Sequence, residues 1–287
     1  MMDHTLFRVR LPDGRVRLAV GAAHAAPTHL LPADVTLTSL LRRSADGFAS
    51  ALASVRDDEP VPEGYALLAP IEDQEVWAAG VTYGWSRQAR VDESERDGDV
   101  YERVWTAARP ELFFKSVGAR VRGPGATIGI REDSSWDVPE PELALVLTSE
   151  LEIAGFTIGN DVSSRSIEAE NPLYLPQAKL FDGACSLGPA IVPACMAQAP
   201  FTIVLRIHRG DALVVSMSTS TSEMRRSFDE LVAYLGRAMR FPDGAVLLTG
   251  TSLVPGDDYT LLPGDEVEIE IGGLGVLRNV AAPAPLS

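Results

Sequence analysis

The run Leu143-Ala144-Leu145-Val146-Leu147 is apolar at every position, and two carboxylates, Glu140 and Glu142, lead into it with Pro141 between them. Such a run reads as a strand covered on both faces, the kind found inside a sheet with layers on either side. Side chains two apart on a strand point to the same face, so the pair brings two carboxylates to one point at the entrance of the core. An uncompensated buried charge is costly, and a divalent cation would supply the compensation. A second strand, Phe156 to Gly159, follows a turn around Ser149 to Gly155 and ends near a third carboxylate, Asp161. Three carboxylates without His or Cys make an all-oxygen set that suits Mg²⁺, Mn²⁺ or Ca²⁺ rather than Zn²⁺. Spacing alone leaves a plainer reading open. A Glu-x-Glu pair is more often the solvated face of a strand, and Pro141 marks a strand start or an edge.

Composition narrows the field. The chain has 287 residues, 46% of them hydrophobic, and a formal charge of −15. That length suits one large domain or one large and one small. We expect a small N-terminal α+β domain over 1–70 and a catalytic domain over 71–287. The acidic balance argues against nucleic-acid binding, which needs a basic stripe. It also means that an anionic substrate requires local cations. No run of 18 apolar residues is present and the N-terminal stretch has no apolar core, so we expect no membrane span, no signal peptide and a cytoplasmic location. Cys185 and Cys195 are expected to be buried thiols rather than a bridge.

In chain order, Phe7-x-Val9-x-Leu11 and Val16-x-Leu18-x-Val20 flank Pro12-Asp13-Gly14 and predict a hairpin. Thr38 to Val55 reads as a helix broken near Gly47. Glu75 to Val81 reads as the first strand of the main domain. Gln88 to Arg103 mixes acids and bases, and is either a solvated segment or a cover over the site. Arg109 to Lys115 is a strand whose final Lys115 is a substrate contact or a strand-end charge. The segment leaving Asp161, including Glu168, is a loop of the kind that carries ligand groups. Asn171 to Gly188 reads as a loop with a short strand, with Gln177, Lys179 and Asp182 as its polar cluster. A hairpin spans Phe201 to Ser218. Ser227 with Glu230 forms a capping box before a helix whose apolar side runs from Phe228 to Met239.

Several of these stretches together carry a resemblance. VPEPELALVL, GFTIGNDVSSRSIE, LPQAKLFDGACSLGPAIVP and LPGDEVEIEIGGLGVLRN resemble, in order, the fumarylacetoacetate hydrolase family over Trp77 to Val280. The resemblance implies an α+β, mainly β fold, a mixed β-sandwich roll of that family's type with a small N-terminal domain. It implies Mg²⁺ or Mn²⁺ held by Glu140, Glu142 and Asp161, a lysine in the site at Lys179, and a homo-oligomer, a dimer or a dimer of dimers. TYGWSRQAR, ARPELFFK and NPLYLPQAK resemble, more narrowly, the branch that dehydrates 2-keto-3-deoxy sugar acids. Hydrolases and decarboxylases of the family carry Tyr-x-x-His where this chain has Tyr83-Gly84-Trp85-Ser86. Serine cannot act as a general base near neutrality, which disfavours hydrolysis.

The expected reaction is therefore metal-dependent dehydration of a small-molecule 2-keto acid, a 2-keto-3-deoxypentonate, to 2-oxoglutarate semialdehyde. Lys179 and Glu168 are the candidate catalytic residues, and Ser86, Arg87 and Thr251 the candidate substrate contacts. An acylpyruvate-type hydrolase or oxaloacetate decarboxylase is the alternative enzyme. A non-catalytic sugar-acid-binding relative is the third reading.

Overall fold

The computed structural model describes residues 4–22, 25–54, 59–84 and 98–286. Its main feature is a mixed ten-stranded sheet built around the apolar run. Strand β1 (His4–Arg10), β2 (Val16–Ala22) and β3 (His29–Leu30) begin the chain, followed by helices α1 (Leu37–Leu41) and α2 (Ala45–Ser54) and strand β4 (Ala66–Leu68). Next come β5 (Glu75–Gly80), α3 (Gly98–Thr106), β6 (Glu111–Val117), β7 (Thr127–Ile130), β8 (Asp137–Val138), β9 (Pro141–Leu147) and β10 (Ile153–Asp161). Then follow β11 (Ser163–Ser164), α4 (Arg165–Glu170), α5 (Leu175–Lys179), β12 (Cys185–Pro193), β13 (Thr202–Arg209) and β14 (Ala212–Ser220). Helix α6 (Phe228–Leu235), β15 (Ala245–Leu248), β16 (Glu266–Ile271) and β17 (Gly275–Pro283) complete the chain. The large sheet runs β3-β2-β1-β12-β10-β9-β15-β5-β6, with β4 beside β1; a five-stranded sheet runs β14-β13-β16-β17-β7.

β9 lies in the interior of the large sheet, between β10 and β15. Its odd-numbered residues Leu143, Leu145 and Leu147 pack with Ile203, Leu205, Ile269 and Leu277 of the five-stranded sheet. Its even-numbered residues Ala144 and Val146 pack with Leu40, Leu41, Phe48 and Leu52 of α1 and α2. Both faces are covered, and that is why the run carries no polar residue. Pro141 is the first residue of the strand, where a missing N–H does least harm to the ladder. The N-terminal strands extend the sheet through the β1–β12 pairing, Leu6 opposite Ile191, and share a core with Val76, Val146 and Val246.

Several local expectations are corrected. The helical stretch after Leu37 breaks at 42–44, where Thr36 has capped a five-residue helix; Gly47 lies inside α2. β10 starts three residues before the expected strand. The segment after Asp161 forms β11 and α4, and 172–179 is helical rather than a loop, because elements of two to six residues are too short to show a period. α6 stops at Leu235, so Met239 lies beyond it. Cys185 is buried but Cys195 is exposed, and both are free thiols.

Candidate active site

The β9–β10 pairing brings the carboxylates together. Asp161 N–H donates to the Glu140 carbonyl at 2.9 Å, and Glu140 N–H donates to Asn160 Oδ1 at 3.1 Å. Glu142 lies opposite Gly159. All three carboxylates are buried, and one oxygen from each lies within 4.8 Å of the others. The Gly250 N–H donates to Glu142 Oε2 at 2.5 Å. Only glycine fits there: φ is +86°, and a Cβ would stand 2.1 Å from Thr82 Oγ1. Beside it Val81 has φ +53°, a conformation that a β-branched side chain adopts only when its surroundings impose it. Val81, Gly250 and Thr251 line the narrow inner cleft with the three carboxylates, Phe113 and Lys179.

Two lysines answer the carboxylates. Lys179 Nζ donates to Glu140 Oε2 at 2.8 Å, to Asp161 Oδ2 at 3.0 Å and to Ser163 Oγ at 2.6 Å. Lys115 Nζ pairs with Asp161 Oδ1 and donates to the carbonyls of Val162 at 3.0 Å and Lys179 at 2.6 Å. Both ammonium groups are buried. Three carboxylates against two ammonium ions leave one negative charge in excess in a low-dielectric setting. Burial, followed by the charges of Asp161 and Glu140, holds the Glu142 carboxyl well above the usual carboxylate range. A divalent cation suits this donor set. It would replace the proton that the cluster otherwise favours, and the loaded centre would carry one net positive charge, enough to draw in an anionic keto acid despite the acidic chain.

Arg165 links this centre to an outer cleft. Its Nη1 lies 3.5 Å from Glu140 Oε1 and 3.3 Å from Glu168 Oε2, and its guanidinium carbon sits 5.7 Å from the Trp136 ring centroid. Glu168 then lines a cleft of about 430 Å³ together with Arg103, Val104, Arg109, Pro110 and Glu111. Glu111 also connects the two spaces. A Cβ at Gly80, which lines the inner cleft, would stand 2.0 Å from Glu111 Oε2, so a larger residue there would push the Glu111 side chain aside.

The structure thus brings Glu140, Glu142, Asp161 and Lys179 into one cluster, puts Glu168 one arginine away, and sets Thr251 on the inner wall. Thr251 Oγ1 accepts from Leu253 N–H at 3.0 Å. Ser86, Arg87 and the 88–97 part of the charged segment lie outside the described residues; the remainder falls in α3. Lys115 was expected as a substrate contact or a strand-end charge; the strand continues past it to Val117, and its Nζ pairs with Asp161. Arg109 and Glu111 carried no spacing signal, and nor did the reach of Arg165 to Glu140, since that partner lies on another element; Glu168 sits at i+3 on α4 itself.

Asp137 follows Trp136 in the chain and is buried. Its N–H donates to Thr260 Oγ1 at 2.9 Å, and Leu261 N–H donates to its carbonyl at 2.8 Å. Burial pushes its carboxyl up to about 6, against hydrogen bonds from Ser134 and Arg131 that pull it down. A carboxyl raised in the folded state favours folding most below its unfolded value near 4, and that contribution is lost as pH rises toward 6. Asp137→Asn is therefore expected to stabilise the protein by ~1–2 kcal/mol at pH 8 and to flatten the stability profile between pH 4 and 6. Urea unfolding of both proteins across that range measures it.

A family model described as fumarylacetoacetate (FAA) hydrolase C-terminal matches residues 76–281. The chain is 48% identical over 247 residues to a probable 2-keto-3-deoxyxylonate dehydratase of Haloferax volcanii, covering 85% of this chain and 84% of the relative. It is 44% identical over 216 residues to 2-dehydro-3-deoxy-D-arabinonate dehydratase of Saccharolobus solfataricus, covering 74% and 72%. Among solved structures, 2-keto-3-deoxy-D-arabinonate dehydratase complexed with magnesium and 2,5-dioxopentanoate superposes with a TM-score of 0.83 at 35% identity, covering 97% of this chain and 99% of that one. With the buried acidic triad and the two-sheet roll, these likenesses lead to one statement: the chain belongs to the fumarylacetoacetate hydrolase family.

Proposed function

We propose that this protein is a Mg²⁺-dependent hydro-lyase that dehydrates a 2-keto-3-deoxypentonate, such as 2-dehydro-3-deoxy-D-arabinonate, to 2-oxoglutarate semialdehyde (2,5-dioxopentanoate). The observation that carries the reading is the buried Glu140–Glu142–Asp161 cluster flanked by Lys179 and Lys115, in a chain whose 44–48% identical relatives bear dehydratase names. Named oxaloacetate tautomerases match at 29% over little more than half of the chain, a weaker likeness than that to the dehydratases.

Glu140, Glu142 and Asp161 would hold the ion. Bound there, it supplies the Lewis acidity that loosens a C3 proton beside the C2 carbonyl and offsets the negative charge that then builds up. Lys179 adds a fixed positive charge at the same place. Its N–H groups already face two carboxylates and a hydroxyl, which supports charge stabilisation over action as a base. Glu168, buried at the edge of the outer cleft, takes the C3 proton, and the C4 hydroxyl leaves with a proton as water. Loss of a C5 proton and return of one to C3 moves the double bond to C4–C5, and the resulting enol tautomerises to the aldehyde. One water is lost and no redox partner is needed. Ser86, Arg87 and Thr251 contact the substrate's carboxylate and hydroxyls in this scheme. The same reading includes a cytoplasmic homo-oligomer, a dimer or a dimer of dimers. Edge strand β14 offers the exposed apolar side chains Leu213 and Val214 as contact surface. Among the described residues no helix is long and apolar enough to cross a membrane.

The test is turnover of a 2-keto-3-deoxypentonate by metal-stripped protein with and without Mg²⁺. Semialdehyde is expected only with metal, and Mn²⁺ is expected to substitute. Acylpyruvate cleavage without dehydration would point instead to the hydrolase.

A further inference from the structure

Arg226 is a buried guanidinium whose hydrogen bonds among the described residues go to Glu230 and to three carbonyls along one wall of the outer cleft. Nη2 donates to the carbonyls of Ala107 at 2.8 Å and Val104 at 3.2 Å, and Nη1 to that of Ala108 at 3.2 Å. These carbonyls belong to the last turn of α3 and the residues just after it. That is where a helix has unsatisfied acceptors and where the negative end of its dipole favours a cation. Val104 and Ala107 line the outer cleft, and Ala108 leads directly into Arg109, Pro110 and Glu111, which line it as well.

The neighbouring residues hold the chain leaving β5. Met224 bridges to Tyr83, and Arg225 N–H donates to the Thr82 carbonyl at 2.9 Å. The Arg225 guanidinium carbon lies 5.1 Å from the ring centroid of Trp105 on α3. One turn, 224–226, therefore ties the chain leaving β5 to the end of α3. Glu230 shows that the arrangement is built. Ser227 caps α6 by accepting from Glu230 N–H at 3.1 Å, but the Glu230 carboxylate accepts from Arg226 Nη1 at 2.5 Å. The residue that a capping box would turn back to its own helix is engaged in orienting the guanidinium.

We infer that Arg226, oriented by Glu230, is a positioning residue for substrate binding: it fixes the α3 end and the 107–111 segment so that Arg109 and Glu111 meet the part of the substrate farthest from the metal. The inference rests on the dehydratase reading for the substrate, but the tie itself can be tested without any substrate.

The experiment compares Arg226→Met, Arg226→Lys and Glu230→Gln with wild type by hydrogen–deuterium exchange, Mn²⁺ binding and steady-state kinetics on a 2-keto-3-deoxypentonate. Arg226→Met is expected to speed exchange over 102–109 while β9 and β10 keep their protection. KM is expected to rise about tenfold with kcat within about threefold and Mn²⁺ affinity unchanged. Lysine, able to reach fewer of the three carbonyls, should restore part of the KM. Glu230→Gln keeps the N–H that Ser227 caps and should move both readouts the same way by less; it decides the matter if the Arg226 variants do not fold. Wild-type exchange over 102–109 and wild-type KM in a folded variant overturn the inference, as does a matched fall in kcat and Mn²⁺ affinity. If wild type itself leaves the pentonate unchanged, the dehydratase reading fails and the exchange result alone decides the role of Arg226.

Discussion

Glu142→Ala is expected to lower kcat at least ~10³-fold and to abolish the gain in thermal stability on adding Mg²⁺ or Mn²⁺. The expected effect on the metal-free protein has the opposite sign. Glu142 is buried beside two other carboxylates, and its carboxyl is held well above the ordinary range mainly by that burial. A carboxyl raised in the folded state stabilises folding at low pH, and that contribution is lost as pH rises through its folded value. Metal-free wild type should thus lose stability above pH 5, and the alanine variant should lose less. The Gly250 N–H loses its acceptor, which offsets part of the gain. Melting curves of both proteins with and without Mn²⁺ at pH 5 and 8 separate the two effects. A variant that keeps metal-dependent turnover would remove Glu142 from the ligand set.

The same residues show how far the sequence could be read. β9 declared itself because burial on both faces leaves a run with no polar position, and Glu-x-Glu at its entrance followed from strand periodicity. Asp161 was legible because it closes the next apolar strand. The compensating cations were not. Lys115 is a lone charge in β6, and only the folded chain shows its Nζ meeting Asp161 at the end of β10 and the Val162 carbonyl just after it. Arg226 reaches carbonyls 118 to 122 positions away, a distance over which no local pattern operates. Glu230 was read as half of a capping box, since S-x-x-E carries that meaning locally; a preceding arginine competes for the same carboxylate. The charge- and proline-bearing stretch 57–64 marks the end of the 1–70 region in sequence; the pairing of β1 with β12, which no local pattern announces, carries the large sheet into that region. Local chemistry was thus visible where burial imposed a period, and hidden where charge compensation came from a distant element.

Lys179→Met tests whether that compensation is structural or chemical. Removing the ammonium leaves Glu140 and Asp161 buried with one cation fewer, and breaking a buried ion pair from one side costs about 3–5 kcal/mol. Metal-free Lys179→Met should melt well below wild type. Saturating Mg²⁺ should recover most of that loss, because the ion restores the balance that Lys179 supplied. Turnover should not recover with it: kcat is expected to remain ~10²–10³-fold down, since the ion is present in wild type as well and the missing charge is the one facing the developing enolate. Arginine is not expected to rescue, because a planar guanidinium cannot direct three donors at Glu140, Asp161 and Ser163 in the space of an ammonium group. Should a Mg²⁺-saturated Lys179→Met protein regain both its melting temperature and its kcat, Lys179 would be a counter-charge alone. The proton and charge chemistry of the reaction would then rest with the ion and with the carboxylates of the outer cleft, Glu168 and Glu111.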